Sequence, residues 1–103
     1  MKWASKARYL CSELVKVEWR NDAGAAAKTG ILEEIWAEGA CVQSAEPLRI
    51  GTRVRILARR VLFLGTVMEC ALAMDGYCSQ LKFDEDSRWS SRRYKPEHMV
   101  STS

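Results

Sequence analysis

Four cysteines and one histidine are the residues of this 103-residue chain whose types could support nucleophilic or metal chemistry. The histidine, His98, lies beside Pro96 near the C-terminus, and no cysteine carries the local signature of a thiol nucleophile. Zinc sites usually use closely spaced pairs of cysteine or histidine, and the sequence has no C-x-x-C pair. We therefore predict no catalytic residues, no metal site and no enzymatic activity. Without an export signal, the cysteines are expected to be reduced thiols that fill space within strands.

Paired carboxylates, which could serve in general acid and base catalysis, occur at Glu33-Glu34 and at residues 84–86. Adjacent side chains on a strand point to opposite faces, so Glu33 and Glu34 are not expected to share a site. The acidic cluster at 84–86 is interpreted as the solvated start of a helix. The sequence also lacks the G-x-x-x-x-G-K-[ST] and G-x-G-x-x-G phosphate loops, which are the signatures of nucleotide hydrolysis and dinucleotide binding.

The basic residues indicate another class of function, which is binding to an anionic partner. The chain has 16 basic and 13 acidic residues, and Arg53, Arg55, Arg59 and Arg60 lie close together in sequence. A small β-barrel can bind nucleic acid with such residues, but Arg53 and Arg55 are also what the solvated face of an edge strand would carry. The net charge of only +3 makes nucleic acid the less favoured partner.

The elements that must position these residues are strands, because apolar and polar residues alternate along much of the chain. Val15, Val17 and Trp19 alternate with charged residues, and Thr52–Ile56 alternates in the same way. Further strands are predicted at Lys28–Ile35, Ala40–Gln43, Val61–Met68 and Tyr77–Phe83. Turns that end in glycine are predicted at Asn21–Gly24, Ala37–Gly39 and Met74–Gly76. This pattern predicts an all-β sandwich or barrel of about six short antiparallel strands.

The last fifth of the chain differs in character and is predicted to form a short C-terminal helix. Acidic residues at 84–86, followed by basic residues at 88–93, complement a helix dipole, and Pro96 ends the segment. We expect a single domain over residues 1–103, with its core at about 8–99 and flexible termini. No stretch approaches the ~18 apolar residues of a membrane helix, so we expect a cytoplasmic protein without membrane insertion.

Several segments resemble the PilZ domain family of bacterial signalling proteins. The similar segments are Gly30–Val42, Ile50–Ile56, Gly65–Val67, Gly76–Phe83 and the tail at 89–98. The resemblance runs from about Arg8 to Met99. It implies a small six-stranded antiparallel Greek-key β-barrel.

PilZ domains bind the second messenger cyclic di-GMP through an R-x-x-x-R segment before the first strand and a [DN]-x-S-x-x-G turn after the second. In this sequence Glu34 stands in the Asp/Asn place of the turn motif, Trp36 stands in the Ser place, and Gly39 matches. Lys6 and Arg8 are the basic residues of the first region, but no arginine pair has the R-x-x-x-R spacing. The resemblance implies that a nucleotide site would comprise Lys6, Arg8, Glu34, Trp36 and Gly39, with arginine gripping phosphate. An indole stands where a small hydroxyl would leave room for the ligand.

We therefore expect a non-catalytic PilZ-like signalling module of bacterial cyclic di-GMP pathways, which acts through a protein partner and binds nucleotide weakly or not at all. Trp36, Arg53 and Arg55 are the candidate partner contacts, and a fully buried Trp36 would contradict that role. One alternative is a functional cyclic di-GMP receptor, in which the nucleotide is a ligand and not a resident cofactor. The other alternative is a small basic β-barrel that binds nucleic acid with affinity that falls steeply with salt.

Overall fold

Antiparallel strands account for most of residues 7–101, which are the residues described by the computed structural model. The long strands are β1 (Arg8–Asn21), β2 (Gly24–Trp36), β3 (Gly39–Ser44), β4 (Arg53–Ala58), β5 (Val61–Ala73) and β6 (Gly76–Phe83). A two-residue strand, β7 (Val100–Ser101), pairs with the start of β1. The all-β prediction is confirmed. Each predicted strand coincides with one of the long strands, although the observed strands are longer.

The six long strands close into a barrel through antiparallel pairing alone. Around the barrel the order is β1, β2, β3, β6, β5 and β4, and the pairing of β4 with β1 completes the circle. β3 and β6 are neighbours although β4 and β5 separate them in sequence. Closure pairs each long strand on both sides over part of its length, which removes most of the open edge that an isolated sheet would present.

The barrel interior is filled by the apolar residues of each alternating strand. In β4 every second residue from Val54 to Ala58 is buried, and the residues between them are exposed. The rings of Phe63 and Phe83, on β5 and β6, stack in the interior with their centroids 4.9 Å apart. Full burial of one such side chain stabilises the fold by about 2–3 kcal/mol, so the alternation itself determines which face of each strand turns inward.

Two of the hairpin turns follow the predicted glycine chemistry. β1 and β2 are joined by a turn at residues 22–23, and β5 and β6 are joined by a turn at residues 74–75. Gly24 (φ +115°) and Gly76 (φ +134°) follow these turns with a backbone that residues bearing a Cβ rarely adopt. Residues 25–27 are alanines with low strand propensity, but each pairs with a residue of β1, and this pairing decides their conformation.

The predicted C-terminal helix is not found among the described residues, where the segment after β6 packs against one end of the barrel. Its helical structure is limited to a three-residue 3-10 turn at Glu85–Ser87. The side chains of Trp89 and Tyr94 are buried, and the Trp89 indole N–H donates a 2.7 Å hydrogen bond to the Tyr94 carbonyl oxygen. The Trp89 backbone N–H donates to the carbonyl of Ala37 in the β2–β3 turn, so this backbone bonds to the barrel and not along a helix. Within residues 7–101 there is no helix of the length and apolarity that spanning a membrane requires.

The expectation that all the cysteines are reduced thiols is wrong, because Cys41 and Cys78 form a disulfide. The β3–β6 register pairs Cys41 with Gln80, two residues from Cys78, so the two cysteines are diagonal neighbours on the outer face. Their Cα atoms are 6.3 Å apart, within the range that a disulfide spans. Cys11 and Cys70 are free thiols, as expected. The pairing of non-consecutive strands leaves no local pattern in the sequence, which is why the spacing of the cysteines did not indicate this bond.

Candidate binding surface around Trp36

A β-bulge in β2 determines where the outward side chains next to Trp36 point. The register of β2 against β3 shifts between Leu32 and Glu34, which makes Glu33 an extra residue in the ladder. Leu32 and Ile35 are buried, and Glu33 and Glu34 between them are both half-buried on the outer side. The expectation that Glu33 and Glu34 point to opposite faces is therefore wrong, because the bulge breaks the alternation.

Arg8, Glu34 and Trp36 meet on the outer surface of the barrel. Arg8 and Trp36 are cross-strand partners on β1 and β2, and the guanidinium carbon of Arg8 lies 3.8 Å from the centroid of the Trp36 ring. The Arg8 Nε atom lies 3.7 Å from Oε2 of Glu34. An ion pair this exposed contributes little to stability, about 0–1 kcal/mol, but together with the cation–π contact it orders the guanidinium above the indole.

Trp36 also packs against Gly39, its partner on the neighbouring strand β3. A Cβ atom at Gly39 would lie 3.0 Å from Cζ2 of the indole and would clash with the carbonyl oxygen of Leu81 on β6. Glycine therefore allows the indole to approach the β3 backbone closely. The Trp36 side chain is half-buried, so the condition that would exclude it as a partner contact is not met.

A cavity of about 340 Å³ borders the Trp36 ring and is lined by Glu38, Met68, Gln80, Leu81 and Lys82. Met68 is 50% exposed, and Gln80 and Lys82 are exposed on the outer face of β6. The surface therefore places cationic, acidic, apolar and amide groups around one indole. We call the outward side chains of Arg8, Glu34, Trp36, Met68, Gln80 and Lys82 the Trp36 surface.

The other two candidate partner contacts, Arg53 and Arg55, lie apart from the Trp36 surface on the outer face of β4. Arg53 donates two hydrogen bonds to the Asp84 carboxylate, of 2.7 and 2.6 Å, and these hold the pKa of Asp84 below its usual range. The Nε atom of Arg55 lies 3.3 Å from a carboxylate oxygen of Glu18. Lys6 lies outside the described residues. The structure thus brings together four of the five residues implied for a nucleotide site and leaves the β4 arginines elsewhere.

A second groove, of about 780 Å³, lies beside Arg53 and Arg55 and is lined in part by Trp19 and Arg20. Its arginines and Trp19 are the residue types that bind single-stranded nucleic acid. Because Arg53 and Arg55 each have a carboxylate partner, however, much of their charge is already compensated. The groove therefore gives the nucleic-acid hypothesis less support than the sequence alone did.

Sequence reasoning missed a buried carboxylate, Glu13, whose side chain is only 8% exposed. Arg59, in the β4–β5 turn, and the backbone N–H of Glu97 each donate a 2.9 Å hydrogen bond to Oε1 of Glu13. Burial, together with the Glu13 carboxylate, raises the pKa of the Tyr94 hydroxyl. Glu13 therefore ties the tail to the barrel, and Arg59, whose side chain is 50% exposed, is paired with that carboxylate. The sequence signal was present, because Glu13 is in phase with Val15 on the buried face of β1.

The chemistry that the Trp36 surface can perform is binding by stacking, ion pairing and apolar contact.

In the barrel interior, burial raises the pKa of the Cys11 thiol to about 12, which keeps that thiol protonated. Its Sγ lies 3.6 Å from the carbonyl oxygen of Leu32, to which it donates a hydrogen bond. Comparison with models of protein families, with curated proteins and with solved structures found no match to this chain.

Proposed function

We propose that this chain is a non-catalytic binding module that contacts a protein partner through the Trp36 surface. The observation that carries the proposal is the stacking of the Arg8 guanidinium on the half-buried Trp36 indole at 3.8 Å. Arginine and tryptophan are enriched among the residues that dominate the energy of protein interfaces. Because Glu34 and Arg8 already order the indole, less conformational entropy is lost when a partner binds.

The composition of the Trp36 surface favours a partner that offers apolar groups, with a carboxylate opposite Lys82. The exposed Lys82 supplies positive charge at the rim, whereas the charge of Arg8 is partly compensated by Glu34. Met68 supplies a flexible apolar contact that adapts to differently shaped partners. A central indole with a polar rim of mixed charge matches the usual arrangement of an apolar interface core surrounded by polar residues.

A protein partner is favoured over a nucleotide because the indole of Trp36 occupies the space next to Gly39. A phosphate or a guanine would need that space to approach the β3 backbone, and the indole lies 3.0 Å from the position of a Cβ there. The Glu34 carboxylate, 3.7 Å from Arg8, also competes with phosphate for the guanidinium. Both features weaken nucleotide binding, and neither obstructs contact with a protein surface.

The proposal includes the finer identity implied by the resemblance, a PilZ-like Greek-key barrel of bacterial cyclic di-GMP pathways. The resemblance of Gly30–Val42 to the middle of a PilZ domain supports it, and the closed barrel has the number of long strands that the resemblance implies. It also includes a cytoplasmic location, which requires that cellular thiol reductants reach the half-buried Cys78 sulfur and open the Cys41–Cys78 disulfide.

Site-specific photo-cross-linking in the native cells tests the protein partner. A photoreactive phenylalanine analogue would replace Gln80, within the Trp36 surface, or Thr29, which is exposed on β2 outside it. We expect a discrete cross-linked protein from position 80 and none from position 29, and Arg8→Ala should abolish the cross-link. The same cross-linked proteins from both positions would contradict the proposal.

A cyclic di-GMP receptor is the second candidate, and the convergence of Arg8, Glu34, Trp36 and Gly39 at one place favours it. An indole face and a guanidinium are groups on which a guanine base stacks. Calorimetric titration with cyclic di-GMP at moderate salt, with GMP as the control, separates the two candidates. Binding at micromolar or tighter affinity that Arg8→Ala abolishes would favour the receptor. No heat and no shift in melting temperature would favour the protein partner.

A further inference from the structure

Three groups that can bind a metal ion converge on the outer face where β2, β3 and β6 lie side by side. They are the sulfur atoms of Cys41 and Cys78 and a carboxylate oxygen of Glu33, and all three atoms lie within 4.8 Å of one another. Cys41 is buried, whereas Cys78 and Glu33 are half-buried, so one side of the cluster is open to solvent. We call Glu33, Cys41 and Cys78 the dithiol–carboxylate cluster.

Two features of the strand register create this cluster. The β2 bulge turns Glu33 outward, beside Cys41 on the next strand. The β3–β6 register makes Cys41 and Cys78 diagonal neighbours, and this ladder is continuous from Gly39 to Ser44. Because backbone pairing extends beyond both cysteines, the ladder keeps the two side chains adjacent whether or not the sulfur atoms are bonded.

We propose that the dithiol–carboxylate cluster binds one Zn²⁺ ion when the disulfide is reduced, so that the thiol redox state of the protein controls metal binding. Two equivalents of a small thiol reductant break the Cys41–Cys78 bond, giving two protein thiols and the oxidised disulfide of the reductant. Each thiol then releases one proton to water as its sulfur binds the metal. The Glu33 carboxylate is the third ligand, and a water molecule takes the fourth position.

The ligand chemistry favours Zn²⁺ over the hard cations Mg²⁺ and Ca²⁺. Thiolates bind Zn²⁺ at about 2.3 Å, which places two sulfur ligands roughly 3.8 Å apart in a tetrahedral site. Rotation of the side chains accommodates this separation at the observed Cα separation of 6.3 Å. A mixed set of thiolate and carboxylate ligands excludes Mg²⁺ and Ca²⁺, which prefer oxygen ligands alone.

The disulfide-bonded state and the metal-bound state of the cluster exclude each other, because both use the same two sulfur atoms. An oxidised chain has only the Glu33 carboxylate left and is not expected to bind zinc at this place. Since the bulge that holds Glu33 also holds Glu34, the cluster lies next to the Trp36 surface. The metal-binding inference does not depend on the proposed function of that surface.

Titration with Co²⁺, a spectroscopic substitute for Zn²⁺, tests the inference on the full chain. The chain would be reduced with a phosphine that does not bind metal and compared with the oxidised chain. We expect the reduced chain alone to develop a sulfur-to-cobalt charge-transfer band, saturating at one metal per chain, and Zn²⁺ should displace the Co²⁺. Cys41→Ser and Cys78→Ser should each abolish the band, and Glu33→Gln should weaken the metal affinity by about tenfold or more.

Two control variants make the result specific to the cluster. Cys70→Ser removes a half-buried thiol outside it, and Glu69→Gln removes an exposed carboxylate on β5, so both should leave the affinity unchanged. Metal binding that survives Cys41→Ser, that occurs equally in the oxidised chain, or that needs two chains per metal would overturn the inference. The absence of a charge-transfer band in a reduced chain whose circular dichroism remains that of a folded β-protein would also overturn it.

Discussion

The guanidinium carbon of Arg8 lies 3.8 Å from the ring centroid of Trp36, its partner across the β1–β2 ladder. The same guanidinium contacts Glu34, so one arginine orders both residues that depart from the PilZ turn motif. Gly39, the one residue that matches this motif, packs against the indole. A surface that resembles a nucleotide-binding turn is thereby covered by an aromatic side chain, and this determines how the chain should respond to substitution.

Trp36→Ser should increase the affinity for cyclic di-GMP. The substitution restores the small hydroxyl of the resembled motif and removes the indole that occupies the space beside Gly39. We expect no calorimetric signal from the native chain at micromolar concentrations and measurable binding by the variant. Native binding at micromolar affinity that Trp36→Ser abolishes would instead show that the indole stacks on the nucleotide.

Gly39→Ala should destabilise the fold and displace the Trp36 ring. The added Cβ would clash with the Leu81 carbonyl oxygen and press on the indole, and overpacking of this kind costs about 1–3 kcal/mol. Urea denaturation measures the loss, and the near-ultraviolet circular dichroism of tryptophan reports the displacement. Gly51→Ala is the control, since its Cβ meets nothing within 4 Å and only its φ of +92° is unfavourable. It should leave the tryptophan signal unchanged, and an equal change in both variants would contradict the packing argument.

Much of the barrel could be predicted from the sequence, because the alternation that defines each strand is local. The strict alternation of Val54, Ile56 and Ala58 with exposed residues is an example. What the sequence did not reveal depends on pairing between distant segments. Glu33 and Glu34 point to the same side because of a bulge, and Cys41 meets Cys78 through the β3–β6 register.

The candidate site likewise contains some residues that the sequence indicated and others that it did not. Arg8, Glu34, Trp36 and Gly39 were singled out by resemblance to a motif, and the strand pairing brings them together. Met68, Gln80 and Lys82, which line the cavity beside the indole, lie on β5 and β6 and had no local signal. In the C-terminal tail, by contrast, a local sequence pattern led to a wrong prediction. The charge pattern of the tail suits a helix, but burial of Trp89 against the barrel decides its conformation.

Asp84→Asn should make the chain less stable near neutral pH and should have little effect in acid. Arg53 holds the pKa of Asp84 below the ordinary value of 3.8, so the ion pair stabilises the fold above pH 3.8. That contribution is lost as the pH falls through the lower pKa of the folded state. Urea denaturation at pH 6 and at about pH 2 checks this, and the native and variant curves should lie closer together at the lower pH. Asp22→Asn, in the exposed β1–β2 turn, should show no such difference, and a pH-independent effect of Asp84→Asn would argue against the ion pair.

Reduction of the disulfide should lower the free energy of unfolding by about 4 kcal/mol in a metal-free buffer. The bond joins residues separated by 37 positions, and closing a loop of that length restricts the unfolded chain. Urea denaturation with and without a phosphine reductant measures the difference. The double variant Cys41→Ser, Cys78→Ser should match the reduced chain and should not respond to reductant. Unchanged denaturation midpoints on reduction would mean that the bond contributes nothing to stability.

Arg59→Ala should cost about 2 kcal/mol of stability, because it leaves the buried Glu13 carboxylate without its charged donor. Alanine at this position must adopt the same positive backbone angle as arginine, φ +56°. The measured loss of stability therefore reports on the arginine side chain. Glu13→Gln should also destabilise, but the double variant should cost less than the sum of the single variants, since the two side chains contact each other. Arg60→Ala, at the next and exposed position of the same turn, should change stability by no more than about 0.5 kcal/mol. If Arg59→Ala and Glu13→Gln were additive, Glu13 would be held by the backbone N–H of Glu97 alone, and the tail would be attached to the barrel without help from Arg59.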